Sequence, residues 1–135
     1  MDWKLEVVVL PVSDIDRAKQ FYAEQVGFVV DHDTRISDGV RVVQLTPPGS
    51  GCSVVLGEGM GNDMAPGSLK GLQLVVDDID AAHAQLVARG VEIGPVSHFE
   101  GAKLVEGRGG PWNSFLFFSD PDGNSWAIQE RPAPG

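Results

Sequence analysis

The sequence predicts an α+β protein: two βαβββ repeats forming a curved mixed sheet with a concave cup, with the helices on its outer face. Three observations predict it. First, Val12, Asp14, Ile15, Asp16 and Ala18 recur 64 residues later as Val76, Asp78, Ile79, Asp80 and Ala82, the mark of an internal repeat. Second, each copy carries a β-rich apolar run into an amphipathic helical pattern, after which the apolar period changes from 3.6 to 2. Third, glycine, proline and aspartate clusters punctuate the chain where strands should turn. Neither unit can bury both faces of a four-stranded sheet by itself, because one face takes the helix and the other needs a partner.

In chain order, a strand over Leu5 to Val12 meets the capping signal Ser13-x-x-Asp16, and a strand over Leu72 to Val76 meets Asp77-x-x-Asp80. Such side chains accept the N–H groups left without partners at a helix start. The first helix places Ile15, Ala18, Tyr22 and Val26 on one stripe, and the second Ile79, Ala82, Leu86 and Val87. Gly27 and Gly90 follow them as left-handed terminators. Strands are expected at Phe28 to Thr34, Val40 to Thr46 and Cys52 to Gly57, with turns at Ser37-Asp38-Gly39 and Pro47 to Gly51. The second unit should add strands at Val91 to Ser97, Ser114 to Phe118 and Ser125 to Glu130, with a turn at Asp120-Pro-Asp-Gly-Asn124. The expected organisation is a first unit over residues 1–58, a linker over 59–69, a second unit over 70–131 and a tail over 132–135.

Composition narrows the function classes. At 135 residues with 42% hydrophobic content, a folded chain hides roughly two-thirds of its unfolded surface, so neither disulfides nor metal are needed to hold it together. No cofactor is expected. The formal charge of −9, with Lys and Arg scattered singly, disfavours a nucleic-acid partner, and no apolar run approaches the ~20 residues that span a bilayer. A single cysteine, Cys52, fits a cytoplasmic location. It is expected to be a small buried hydrophobe.

Val-x-Asp-Ile before the first helix, Phe21-Tyr22 within it, Gly27-Phe28 after it and Asp120-Pro-Asp-Gly123 before the last strand together resemble the vicinal oxygen chelate superfamily. That group includes glyoxalase I, extradiol dioxygenases, fosfomycin-modifying enzymes and bleomycin-binding resistance proteins. The resemblance covers about residues 5 to 131 and implies a homodimer. It also implies where a divalent ion would sit in the metal-dependent members: counting from Asp14, Asp120 and the repeat offset, the ligand positions are Val7, Val55, Gly71 and Ala127. None offers a donor atom, so metal chemistry is not expected.

Strand parity then points Leu5, Val9, Ser53, Gln73, Val75, Ser125 and Gln129 to the same side as those positions. Gln73 and Gln129 can hydrogen-bond a ligand from opposite sides, or bond to each other, to water or to backbone. Ser53 and Gln44 join them as ligand-contact candidates. The glycine-rich stretch His98 to Trp112 is long for a strand connection and reads as a lid, with Trp112 stacking on a ligand beside Phe115 or Phe117. The alternative is that Trp112 covers a dimer seam or an exposed core edge. Trp3 is expected in the core or an interface, and Trp126 beneath a helix. His83 and the acidic neighbourhood of His32 read as structural or solvated, which leaves His98 and Glu100 as the only His and carboxylate pair placed for acid–base work.

Two functions fit. One is a metal-free binding protein that sequesters an amphiphilic or cationic compound, as the bleomycin-binding branch of the resemblance implies. The other is a lyase or isomerase of the same superfamily, metal-free or with atypical metal ligands.

Overall fold

A computed structural model describes residues 1–58 and 63–133. The expected linker therefore lies outside the described residues at 59–62, as do the last two residues of the expected tail. The chain divides into two compact units: Met1–Leu69 together with the turn Asp120–Asn124, and Lys70–Ser119 together with the chain from Ser125 onward. Each carries its own mixed sheet, four strands in the first and five in the second.

In the first unit β1 (Val7–Leu10) runs parallel to β4 (Ser53–Glu58), and β3 (Val40–Thr46) and β2 (Val29–Ser37) follow antiparallel, in the order β1-β4-β3-β2. Asp38-Gly39 closes the β2–β3 hairpin, with Gly39 at φ +75°, the two-residue loop this dipeptide favours. Helix α1 (Ile15–Gln20) packs on β4 and continues as a π-helical turn, Phe21–Val26, to Gly27 at φ +93°. Leu10, Ala18, Tyr22, Val43, Leu45 and Leu56 form its buried core.

The second unit differs from its sequence expectation. β5 (Leu72–Val76) pairs parallel with β9 (Ser125–Glu130), then β8 (Phe115–Ser119), β6 (Ser97–Glu100) and β7 (Lys103–Glu106) follow antiparallel, in the order β5-β9-β8-β6-β7. Helix α2 (Ile79–Ala88) packs on β8 and β9. Residues 91–96 form no strand, and the expected lid is instead the hairpin β6–β7, turning at Gly101 with φ +64°. Ile79, Leu86, Leu116, Phe118, Trp126 and Ile128 are buried, with Phe118 and Trp126 stacked at 6.0 Å.

Both helices start one residue later than the capping signals suggested. Asp14 and Asp78, in extended backbone, each accept the N–H three residues on at 3.0 Å. The expected caps are engaged elsewhere, Ser13 with Asp122 and Asp77 with Arg131. Val87 is exposed, because the contact stripe of α2 narrows to Ile79 and Leu86. Trp3 is 88% exposed and so lies outside the core, Leu5 precedes β1 and is exposed, and Cys52 is half-buried at the end of a turn.

Candidate functional site

One face of the second sheet is covered by α2, and strand alternation sends the other set of side chains away from it. Register aligns that set. Gln73 stands beside Ala127 and Val75 beside Gln129 across β5 and β9, while Phe115 faces Gln129 and Phe117 faces Ala127 across β8 and β9. Leu116, Phe118, Trp126 and Ile128 point the opposite way and are buried. The parity read from sequence for Gln73, Val75, Ser125, Ala127 and Gln129 therefore matches the structure.

This face is apolar and partly open. Phe115 and Phe117 stack with centroids 6.1 Å apart, and Phe99 of β6 meets them edge-on at 5.3 and 6.4 Å. Phe99 and Phe117 remain 40% and 39% exposed. Leu104, directly opposite Phe99 in the β6–β7 hairpin, extends the patch. The sequence reading missed Phe99 and Leu104. Their signal was period-2 alternation on either side of Gly101-Ala102, hidden inside a stretch taken for a loop.

The two glutamines lie on adjacent strands and not on opposite sides of a ligand. Gln73 Nε2 donates to Gln129 Oε1 at 2.9 Å, and Gln129 Nε2 donates to the Trp112 carbonyl at 2.8 Å. Trp112 thus reaches this face through its backbone. Trp112 also lines, with Arg108, Pro111, Glu130 and Pro132, a cavity of about 260 Å³, and its ring stacks on neither Phe115 nor Phe117.

The stretch expected to move as a lid is strapped down. The Gly107 N–H donates to the Val96 carbonyl at 2.8 Å, and the Gly109 N–H donates to Ser114 Oγ at 3.1 Å. A Cβ at Gly109 would lie 2.2 Å from the Asn113 carbonyl oxygen, so only glycine fits. The Asn113 N–H donates to the Gly110 carbonyl at 3.0 Å, and Trp112 sits at φ +63°. Proline followed by a positive-φ residue is the type II turn pattern. The Asn113 side chain then accepts from the Phe99 N–H at 2.8 Å and donates to the Phe99 carbonyl at 2.9 Å.

His98 and Glu100 do come together, but as a clasp. Nδ1 of His98 is 2.7 Å from the Gly107 carbonyl and Nε2 is 2.8 Å from the Glu100 carboxylate. Both partners are acceptors, an arrangement that favours the doubly protonated ring. The Gly107 carbonyl first, and Glu100 second, push its pKa above the ordinary histidine value.

The remaining candidates belong to the first unit. Ser53 is buried and shares a hydrogen bond of 2.6 Å with Thr46 Oγ1, which also donates to Asp31. Gln44 stands on β3 opposite Val55 and His32. Asp33, near His32, is held by Arg41 and Lys19, and these cations, Arg41 foremost, keep its carboxyl far below the usual range.

The decisive comparison is with the family model for the Glyoxalase/Bleomycin resistance protein/Dioxygenase superfamily, which matches residues 4–128. The chain belongs to this superfamily. Among solved structures, this superfamily member is similar to TnmS3, an antibiotic binding protein from Streptomyces sp. CB03234, at 37% identity and TM-score 0.75, over 96% of this chain and 97% of that one. A glyoxalase/bleomycin resistance protein from the same Streptomyces is 38% identical, with TM-score 0.72 over 93% and 99% of the two chains. A superfamily member from Sphaerobacter thermophilus DSM 20745 is 30% identical, with TM-score 0.76 over 96% and 98%.

The divalent ion implied for the superfamily's metal-dependent members does not fit these residues. Val7, Val55 and Ala127 carry no donor, and Gly71 sits at φ +82°, where a ligating side chain would be strained. Among the described residues no group of three or more His, Cys, Asp or Glu side chains is arranged to hold a metal. Nor is any described helix long and apolar enough to cross a membrane.

Proposed function

We propose that this protein binds an amphiphilic or cationic aromatic small molecule without metal and without transforming it, using the open face of its second sheet. The observation that carries the reading is the cluster of exposed Phe99 and Phe117 with half-buried Phe115, flanked by the amides of Gln73 and Gln129. An apolar wall with a few placed polar groups is the usual composition of a small-molecule site. The likeness to an antibiotic binding protein supports binding, and the hydrogen bonds that engage both His98 ring nitrogens within the chain count against its use as a base. The acidic chain, at −9, favours a cationic partner. The same reading includes a homodimer working in the cytoplasm, where the lone Cys52 stays reduced.

The test is calorimetric titration with a panel of aromatic amines and phenols, followed by product analysis and elemental mass spectrometry. Stoichiometric binding is expected, weakened about tenfold or more by Phe117→Ala with the fold unchanged, and with the compound recovered intact. Turnover of the compound, or about one tightly held divalent ion per chain, would overturn the reading.

A further inference from the structure

We infer that the second sheet selects ligands carrying a hydrogen-bond donor at one end of a bicyclic aromatic frame, because a single backbone carbonyl fixes the polarity of both glutamines. This inference rests on the proposed ligand-binding role of that face.

An amide side chain can normally present either its oxygen or its nitrogen by turning over. Here it cannot. The Trp112 carbonyl only accepts, so Gln129 must aim Nε2 at it, and the observed contact is 2.8 Å. Gln129 Oε1 is thereby turned toward β5, where it accepts from Gln73 Nε2 at 2.9 Å. Turning either amide alone would set two acceptors against each other. Gln73 Oε1 is left as an acceptor with no partner among the described residues, on an exposed side chain. The carbonyl that starts the relay is itself fixed, since the Gly110–Asn113 turn holds Trp112 left-handed and Asn113 is tied to the Phe99 backbone at both ends of its amide.

Geometry sets the ligand's length. Phe117, Ala127 and Gln73 lie side by side on β8, β9 and β5, so two strand spacings of about 4.8 Å separate the aromatic wall from the acceptor, roughly 10 Å. Ala127 between them carries only a methyl group, so a flat frame can lie over it with one edge on Phe117 and a donor at Gln73. That span is about the length of two fused rings bearing a hydroxyl or amino group.

The test compares 2-naphthol with 2-methoxynaphthalene by calorimetry on the intact protein. They share a ring system, but only the first donates. The naphthol should bind on the order of tenfold tighter. Gln73→Met should bring that preference below about twofold, and Ala127→Leu should weaken both. Equal affinities in the unaltered protein, or a preference that survives Gln73→Met, would overturn the inference and leave the binding reading standing. Binding of neither compound would overturn both.

Discussion

Trp112 is the only non-glycine residue with a positive φ among those described. A bulky side chain in that region costs about 1–2 kcal/mol, and the position, third in a type II turn, is one that glycine ordinarily fills. The strain persists because the chain needs a carbonyl aimed at Gln129 there and the surrounding turn is tied down. Two substitutions separate backbone from ring. Trp112→Gly and Trp112→Ala both delete the indole, but only glycine also relieves the left-handed penalty. The glycine variant should be more stable than the alanine variant by about 1 kcal/mol, measured by urea denaturation. Equal midpoints would show that the turn relaxes once the ring is gone.

At the scale of the element, the β6–β7 hairpin is where a short pair of strands must be held against the rest of its sheet. Ser97 is its one residue paired with β8, so side-chain clasps supply what the ladder lacks. The His98 imidazolium bridges Gly107 and Glu100, and this makes the hairpin pH-sensitive. Because the folded state raises the His98 pKa, it binds that proton more tightly than the unfolded chain does. The contribution is therefore complete below the unfolded value near 6.5 and is lost as pH rises through the higher folded value. The stability difference between the unaltered protein and His98→Gln should be largest near pH 6 and shrink toward pH 9. A difference that grows with pH would mean that the neutral ring is the bound form.

At the scale of the whole molecule, a turn late in the sequence completes the first unit. Asp120 is buried and its Oδ1 accepts the N–H groups of Asp122, Gly123 and Asn124 at 2.9–3.0 Å, while Oδ2 accepts from Tyr22 and Asn124. Asn124 in turn donates to the Pro11 carbonyl and accepts from the Leu69 N–H. A Cβ at Gly67 would lie 2.0 Å from the Asp122 carbonyl oxygen, which leaves no room for any other residue there. The Asp-Pro-Asp-Gly signature is thus architectural. Asp120→Ala would strand several buried donors and should cost at least about 3 kcal/mol. Hydrogen exchange should quicken first around Pro11 and Tyr22, more than a hundred positions earlier in the case of Pro11. Exchange that quickens only at residues 121–125 would deny the turn that role.

The sequence by itself determined the two-unit α+β architecture, the strand parity and the left-handed glycines. These follow from local periodicity and backbone sterics: the echo of Val12 to Ala18 in Val76 to Ala82, the alternation along β5, β8 and β9, and Gly27 and Gly90 at φ +93° and +82°. Of the candidate site, parity placed Gln73 and Gln129 on one face, whereas Phe115 and Phe117 were reached only as companions of Trp112, and register brings them beside Ala127 and Gln129. The site was illegible at Phe99 and Leu104, because a short hairpin of two four-residue strands carries too little periodicity to stand out from a glycine-rich loop. Only the tertiary structure decided that this stretch is tied down by hydrogen bonds, that His98 is clasped at both nitrogens, and that the two glutamines are joined to each other and to Trp112. Those outcomes depend on which donors and acceptors meet once strands distant in sequence are brought side by side, and the order of residues along a chain does not encode that encounter locally.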